Sequence, residues 1–150
     1  MKPLVCSQHV AAPSAKVWSV FTDIPHAAEN IPGITKIEMF SQGPFAVGTK
    51  WRETRKMFGK EAVETMWVTA VEPQRSYVVE AESHGAHYRS EFTFTEKDGG
   101  TDVAWSFGAE PTGMASKVMM AVMGSVLKGT MRRMLQADLL ALKAVAEAQS

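Results

Sequence analysis

The sequence predicts an α+β domain in which a curved antiparallel sheet of about seven strands, ordered β-α-α-β6-α, wraps around a long C-terminal helix. Three observations carry this. From Ile34 onward apolar residues recur with period two, the spacing of strands that bury one face. The strand-like stretches are joined by short Gly- or Pro-bearing breaks, which argues for an antiparallel meander. From Thr112 to Ser150 the period changes to that of a Met-rich amphipathic helix.

Taken in order, Leu4–Ala11 reads as a first strand with Leu4, Cys6, Gln8 and Val10 on one side. Pro13 opens a short helix, where its missing N–H needs no partner. Val17, Val20 and Phe21 give that helix an apolar stripe, with Trp18 beside it. Asp23 is the expected cap of a second short helix that Pro32-Gly33 ends. The sheet strands follow at Ile34–Phe40, Thr49–Met57, Glu61–Val71, Ser76–Glu82, His87–Thr95 and Thr101–Ala109. Their breaks hold Gly43-Pro44, Gly59, Pro73, Gly85 and Asp98-Gly99-Gly100, each a turn former. The clearest alternation sets Tyr88, Ser90, Phe92 and Phe94 against Arg89, Glu91, Thr93 and Thr95. Val103, Trp105 and Phe107 should share the core face with the first set. Pro111 is expected to stop the last strand and Thr112 to cap the final helix. Met120, Met123, Leu127, Met131, Met134, Leu135, Leu139, Leu142 and Val145 form its stripe, and Gly124 and Gly129 mark a kink or a split.

The bulk composition narrows function without naming it. A chain of 150 residues suits one domain over 1–150 with a sizeable core. Lys+Arg and Asp+Glu are both 16, so no global field favours nucleic acid or an anionic membrane. The single Cys6 excludes an internal disulfide and fits a reducing compartment. The start, MKPLVCSQHVAAPSA, has too short an apolar run for a secretory signal. Val118–Leu127 is far short of a membrane span. The expected location is the cytoplasm. No GxSxG, HExxH, CxxC or Walker-type loop occurs, so hydrolase, zinc and nucleotide chemistry lack support, and no cofactor or metal is expected.

The local wording resembles the polyketide cyclase/dehydrase-like branch of the SRPBCC superfamily, which shares the helix-grip fold of START domains and the birch-pollen allergen. The matching pieces are VAAPSAKVWSVFTDIPHAAENIPGI at 10–34, VGTKWRE at 47–53, VTAVEPQRSYVVE at 68–80, FTFTEKDGGTDVAWSF at 92–107 and LQADLLALKAVAE at 135–147. The resemblance implies a ligand between the curved sheet and the C-terminal helix. It implies no catalytic residue, because the superfamily shares no catalytic motif.

The candidate cavity residues are Trp51, Glu53, Arg55, Trp67, Tyr88, Ser90, Phe92, Trp105, Met120, Met123 and Met131. Trp51, Glu53, Arg55 and Met57 share one strand face, so the charged pair either enters an apolar interior or lies on a solvated face with one exposed Trp. The turn around Gly59 leaves two registers open. A three-residue turn, Phe58–Lys60, sets Trp51 opposite Trp67 and is favoured for its aromatic pair; a two-residue turn sets Trp51 opposite Met66. Tyr88 and Ser90 are either hydrogen-bond donors in a cavity or rim residues of a closed core. Ten Met, four Trp and seven Phe suit an adaptable interior. His84 and His87 bracket a hairpin turn and read either as exposed or as an acid/base pair.

The first expectation is therefore a binding protein for an apolar or aromatic small molecule, polyketide-like, isoprenoid or fatty. Two alternatives stand. One is a cyclase, dehydratase or aromatase using Glu53, His84, His87 or Tyr88; the other is a co-chaperone-like interaction module. Monomer and homodimer are both compatible with the sequence.

Overall fold

The structure, a computed structural model, describes residues 3–57, 59–83 and 85–149, apart from the side chains at 115–116 and 119–127. Seven antiparallel strands form one sheet: β1 (Leu4–Val10), β2 (Ile34–Met39), β3 (Lys50–Met57), β4 (Lys60–Glu72), β5 (Ser76–Ser83), β6 (Ala86–Lys97) and β7 (Gly100–Pro111). Their order is β1-β7-β6-β5-β4-β3-β2. The meander of β2 to β7 is thus completed by β1, which returns to pair with β7. Register shifts at Ile34/Lys36 and Val68/Ala70 bend the sheet, as bulges do.

Three helices fill the concave side: α1 (Ser14–Phe21), α2 (Ala27–Asn30) and α3 (Met114–Ala148). A 3-10 turn, Ile24–His26, leads into α2. The long α3 lies against β1 and β7 and touches α1 and α2. Its C-terminal half supplies the stripe: Leu135, Leu139 and Ala146 are fully buried, whereas Leu140, one position off it, is exposed. Helix and first strand are also tied by polar contacts. Arg132 Nη1 donates to the Val5 carbonyl, and the Ala11 N–H donates to Glu147.

The core joins the two layers. Val10, Val17, Val68 and Val103 are its most buried aliphatic residues outside α3. Aromatic rings continue it, with Tyr77 stacked on Phe92 and Phe92 on Trp105, both at 4.7 Å between centroids. The alternation of β6 against β7 follows the sequence pattern, with Phe92 opposite Trp105 and Phe94 opposite Val103. Asp98 and Gly99 both have positive φ, 52° and 76°, the geometry that turns a two-residue hairpin.

Several local expectations are corrected. Met57 pairs directly with Lys60, so the β3–β4 turn has two residues and Trp51 sits opposite Met66. The favoured three-residue turn is wrong, and the β4 side chains from Glu61 to Trp67 therefore take the other face, until the irregularity at Val68/Ala70 returns Val71 to the core side. Thr112 does not cap α3: Gly113 holds that position, and the Thr112 N–H donates to the Gly85 carbonyl. Asp23 makes no cap hydrogen bond; its carboxylate meets the His26 ring at 2.8 Å instead. Pro111 ends β7 as its last residue, two beyond the expected limit. Neither Gly124 nor Gly129 splits the final helix, which runs unbroken.

Candidate functional site

The concave face of the sheet and the helices enclose a cavity of about 370 Å3. That lies at the lower end of the roughly 300–1,000 Å3 common for small-molecule sites. Period-two alternation decides which side chains reach it. β3 contributes Trp51, Glu53, Arg55 and Met57; β4 contributes Ala62, Glu64 and Met66. β5 adds Tyr77 and Val79, β6 adds Tyr88, Ser90 and Phe92, and β7 adds Trp105, Phe107 and Ala109. Phe21, Ile24 and Ile31 close one wall, and Met131, Met134 and Leu142 of α3 another. Most of this surface is hydrocarbon or aromatic, and the polar groups gather towards β3 and β4.

The polar end is built around Arg55. Its Nη1 and Nη2 donate to the two oxygens of Asp138 on α3, at 3.2 and 2.7 Å. Its Nε donates to Glu53 Oε2 at 3.4 Å. All three side chains are nearly sealed from solvent, with the arginine and Glu53 each 11% exposed and Asp138 6%. Burial pushes the Glu53 carboxyl above its ordinary value; Arg55 opposes that shift, and Asp138 adds to it. Burial also pushes Asp138 up, against the pull of the two Arg55 hydrogen bonds. Burial works against the Arg55 guanidinium too, but Asp138 and Glu53 more than offset it and hold it charged. One cation thus faces two carboxyls, and Glu53, on the longer contact, is the one disposed to keep a proton.

The neighbouring polar groups extend this end. Glu64 sits directly opposite Glu53 across the β3–β4 ladder. Tyr88 is pushed up by burial and further by Glu64. The indole N–H groups of Trp51 and Trp105 are buried, and neither finds a well-formed hydrogen bond among the described residues.

Of the residues singled out from sequence, Trp51, Glu53, Arg55, Tyr88, Ser90, Phe92, Trp105 and Met131 border the cavity. Trp67 does not. It pairs with Lys50, on the opposite face from Trp51, and its ring stands 6.3 Å from that of His87 on the outside of the sheet. The side chains of Met120 and Met123 lie outside the described residues, as does His84. His87 faces outward between Glu80 and Glu82, at 2.7 and 3.1 Å, and these hydrogen bonds raise its pKa. It is no acid or base for the cavity.

Two residues of the polar end escaped the sequence reading, Asp138 and Glu64. Asp138 carried a signal: it lies three residues after Leu135 and four before Leu142, inside the apolar stripe of α3. Glu64 enters the site only through the two-residue turn. Among the described residues, no group of three or more His, Cys, Asp or Glu side chains is placed to hold a metal ion. None of the helices, over the same residues, is long and apolar enough to cross a membrane.

Residues 4–147 match the model of a family described as polyketide cyclase/dehydrase and lipid transport. No curated protein matches the chain. Among solved structures, a protein from Thermus thermophilus superposes with a TM-score of 0.83 at 14% identity over 99% of both chains. The Zhui aromatase/cyclase of Streptomyces sp. R1128 gives 0.75 at 20% identity, over 97% of this chain and 93% of that one. A START superfamily protein from Mycobacterium smegmatis gives 0.77 at 13% identity over the full length of both. At such identities these likenesses describe the fold.

Proposed function

The chain belongs to the polyketide cyclase/dehydrase and lipid transport family, and on that premise we propose that it binds an apolar or aromatic small molecule between its sheet and α3. The observation that supports this reading is the cavity itself: a space of about 370 Å3 with aromatic and aliphatic walls and polar groups gathered at one end. Such a site draws its affinity from burial, at roughly 25 cal/mol per Å2 of apolar area, less the cost of ordering the ligand. Ser90, Tyr88 and Glu53 would orient the ligand's few polar atoms. Native mass spectrometry of the purified protein, followed by extraction, tests it. Either a co-purifying apolar molecule or uptake from a panel of fatty, isoprenoid and aromatic compounds is expected. A clean apo mass with no uptake from any of them would sink the proposal.

A second reading, a cyclase or dehydratase acting on a poly-carbonyl compound, is favoured by one specific observation. Burial pushes the Glu53 carboxyl above its ordinary value, towards its neutral form, beside a charged Arg55, and a carboxyl so raised is a candidate to donate and recover a proton. With His87 outside the cavity, the groups left to test in this role are His84, which lies outside the described residues, and the two that border the cavity, Glu53 and Tyr88. Conversion of a candidate poly-ketone that survives both Glu53→Gln and Tyr88→Phe would remove them from any catalytic role.

A further inference from the structure

Building on the cavity reading above, we infer that the Arg55–Asp138 ion pair is a latch on ligand entry: α3 is seamed to β1 along one side, the pair holds its other side against β3, and a ligand reaches the cavity when the pair parts. The inference comes from the way the ties of α3 divide between its two sides. Arg132 Nη1 donates to the Val5 carbonyl at 3.1 Å, Gln8 Nε2 donates to Gln136 Oε1 at 3.2 Å, and the Ala11 N–H donates to Glu147 Oε2 at 2.8 Å. All three join α3 to β1 or to the residue that follows it, and β1 is the strand against which α3 packs most extensively. At about 100° per residue, Arg132, Gln136 and Glu147 share one side of the helix and Asp138 lies roughly opposite them. There it faces β3 across the cavity and gives both oxygens to Arg55.

A helix held along one edge can roll about that edge, the small sliding by which packed helices shift. The roll would carry Met131, Met134 and Asp138 away from β3 and widen the space between them. The ion pair opposes it. Its two hydrogen bonds are charged and directional, and the Arg55 and Asp138 side chains are only 11% and 6% exposed, so water does little to loosen them. The guanidinium is also fitted to the closed position: its Nε donates to Glu53, and a Cβ at Gly33 would stand 3.1 Å from its Nη1. Lys128 borders the cavity and is exposed, so the space meets solvent beside it, and the separation of α3 from β3 sets the width of that mouth.

The test follows the neutral fluorescent probe N-phenyl-1-naphthylamine into the full chain by stopped flow near neutral pH. The association rate constant is the deciding quantity, because a required opening slows association, whereas contacts made in the bound state act mainly on dissociation. Arg55→Met with Asp138→Leu removes both charges and should raise the association rate constant at least about fivefold. Asp138→Asn keeps the shape of the side chain and weakens the pair; it should move the constant in the same direction, and it decides the matter where the double variant does not fold. An association rate constant equal to the parent's in the folded variants, with the probe still bound, would overturn the latch and leave the cavity reading standing. Failure of the parent to bind the probe at all would overturn the cavity reading for neutral apolar compounds and this inference with it.

Discussion

Arg55 makes bidentate contact with a carboxylate from an element 83 residues away in sequence, in a space almost closed to water. Removing one member of such a pair leaves a buried charge without compensation, at a cost of about 3–5 kcal/mol. Arg55→Met should therefore lower the stability read from urea denaturation by that amount. Arg55→Met with Asp138→Leu should recover most of it, because no buried charge of the pair then remains. Glu53 behaves differently. Its folded pKa is raised, so the native chain holds this proton more tightly than the unfolded chain does. By linkage its contribution is present below the unfolded value of about 4.3 and is lost as pH rises through the folded value. Glu53→Gln should flatten the fall in stability across that window and be no less stable than the parent at neutral pH. Unfolding free energies measured from acid to neutral pH would show a parallel fall in both proteins if this were wrong. The pair Glu53 and Arg55 was legible in the sequence as two charges spaced by two beside Trp51 and Met57. Their partner was not, because an aspartate among helix leucines looks much like one at the edge of a solvated face until the opposing strand is known.

At the scale of elements, patterns that repeat were readable, and patterns that depend on a single turn were not. β6 and β7 could be placed face to face because four alternating residues on one and three on the other agree, and Asp98-Gly99 fixes the turn between them. β3 and β4 could not. Met66 and Trp67 are adjacent large apolar residues, so either register buries one of them, and Phe58-Gly59-Lys60 accommodates turns of two or three residues. The register that forms sends Trp67 outward beside His87 and brings Glu64 inward opposite Glu53. For α3 the helical period identified the buried stripe from Met131 onward, the part of it whose side chains are described, and it makes a sharp pair of predictions. Leu139 is 1% exposed and Leu140 is 50% exposed. Leu139→Ala should cost about 2–5 kcal/mol by removing core hydrocarbon and leaving a hole. Leu140→Ala should change stability by less than about 0.5 kcal/mol. A denaturation midpoint that moves equally in the two variants would mean that α3 is rotated about its axis from the position described.

At the scale of the whole molecule, the bend of the sheet is what turns a list of strands into a site. It carries β3, which is far from β1 in strand order, round to α3, which rests on β1 and β7, so that Arg55 closes onto Asp138 across the opening between them. No local spacing encodes that closure; it follows from the order of seven strands and from where the bulges fall. The same geometry lets a single substitution ask whether the interior is open. Ser90 lies on β6 between Val79 and Phe107, with its side chain at the cavity. In a packed core, Ser90→Phe would force off-rotamer side chains and backbone shifts at a cost of about 1–3 kcal/mol. In a space of about 370 Å3 the ring has room, and the apolar area it buries works in favour of folding. The variant should therefore be at least as stable as the parent in urea, while its affinity for any apolar probe that the parent binds falls tenfold or more. A loss of stability of more than about 1 kcal/mol, with probe binding intact, would place Ser90 in a filled layer and move the binding site elsewhere along the sheet.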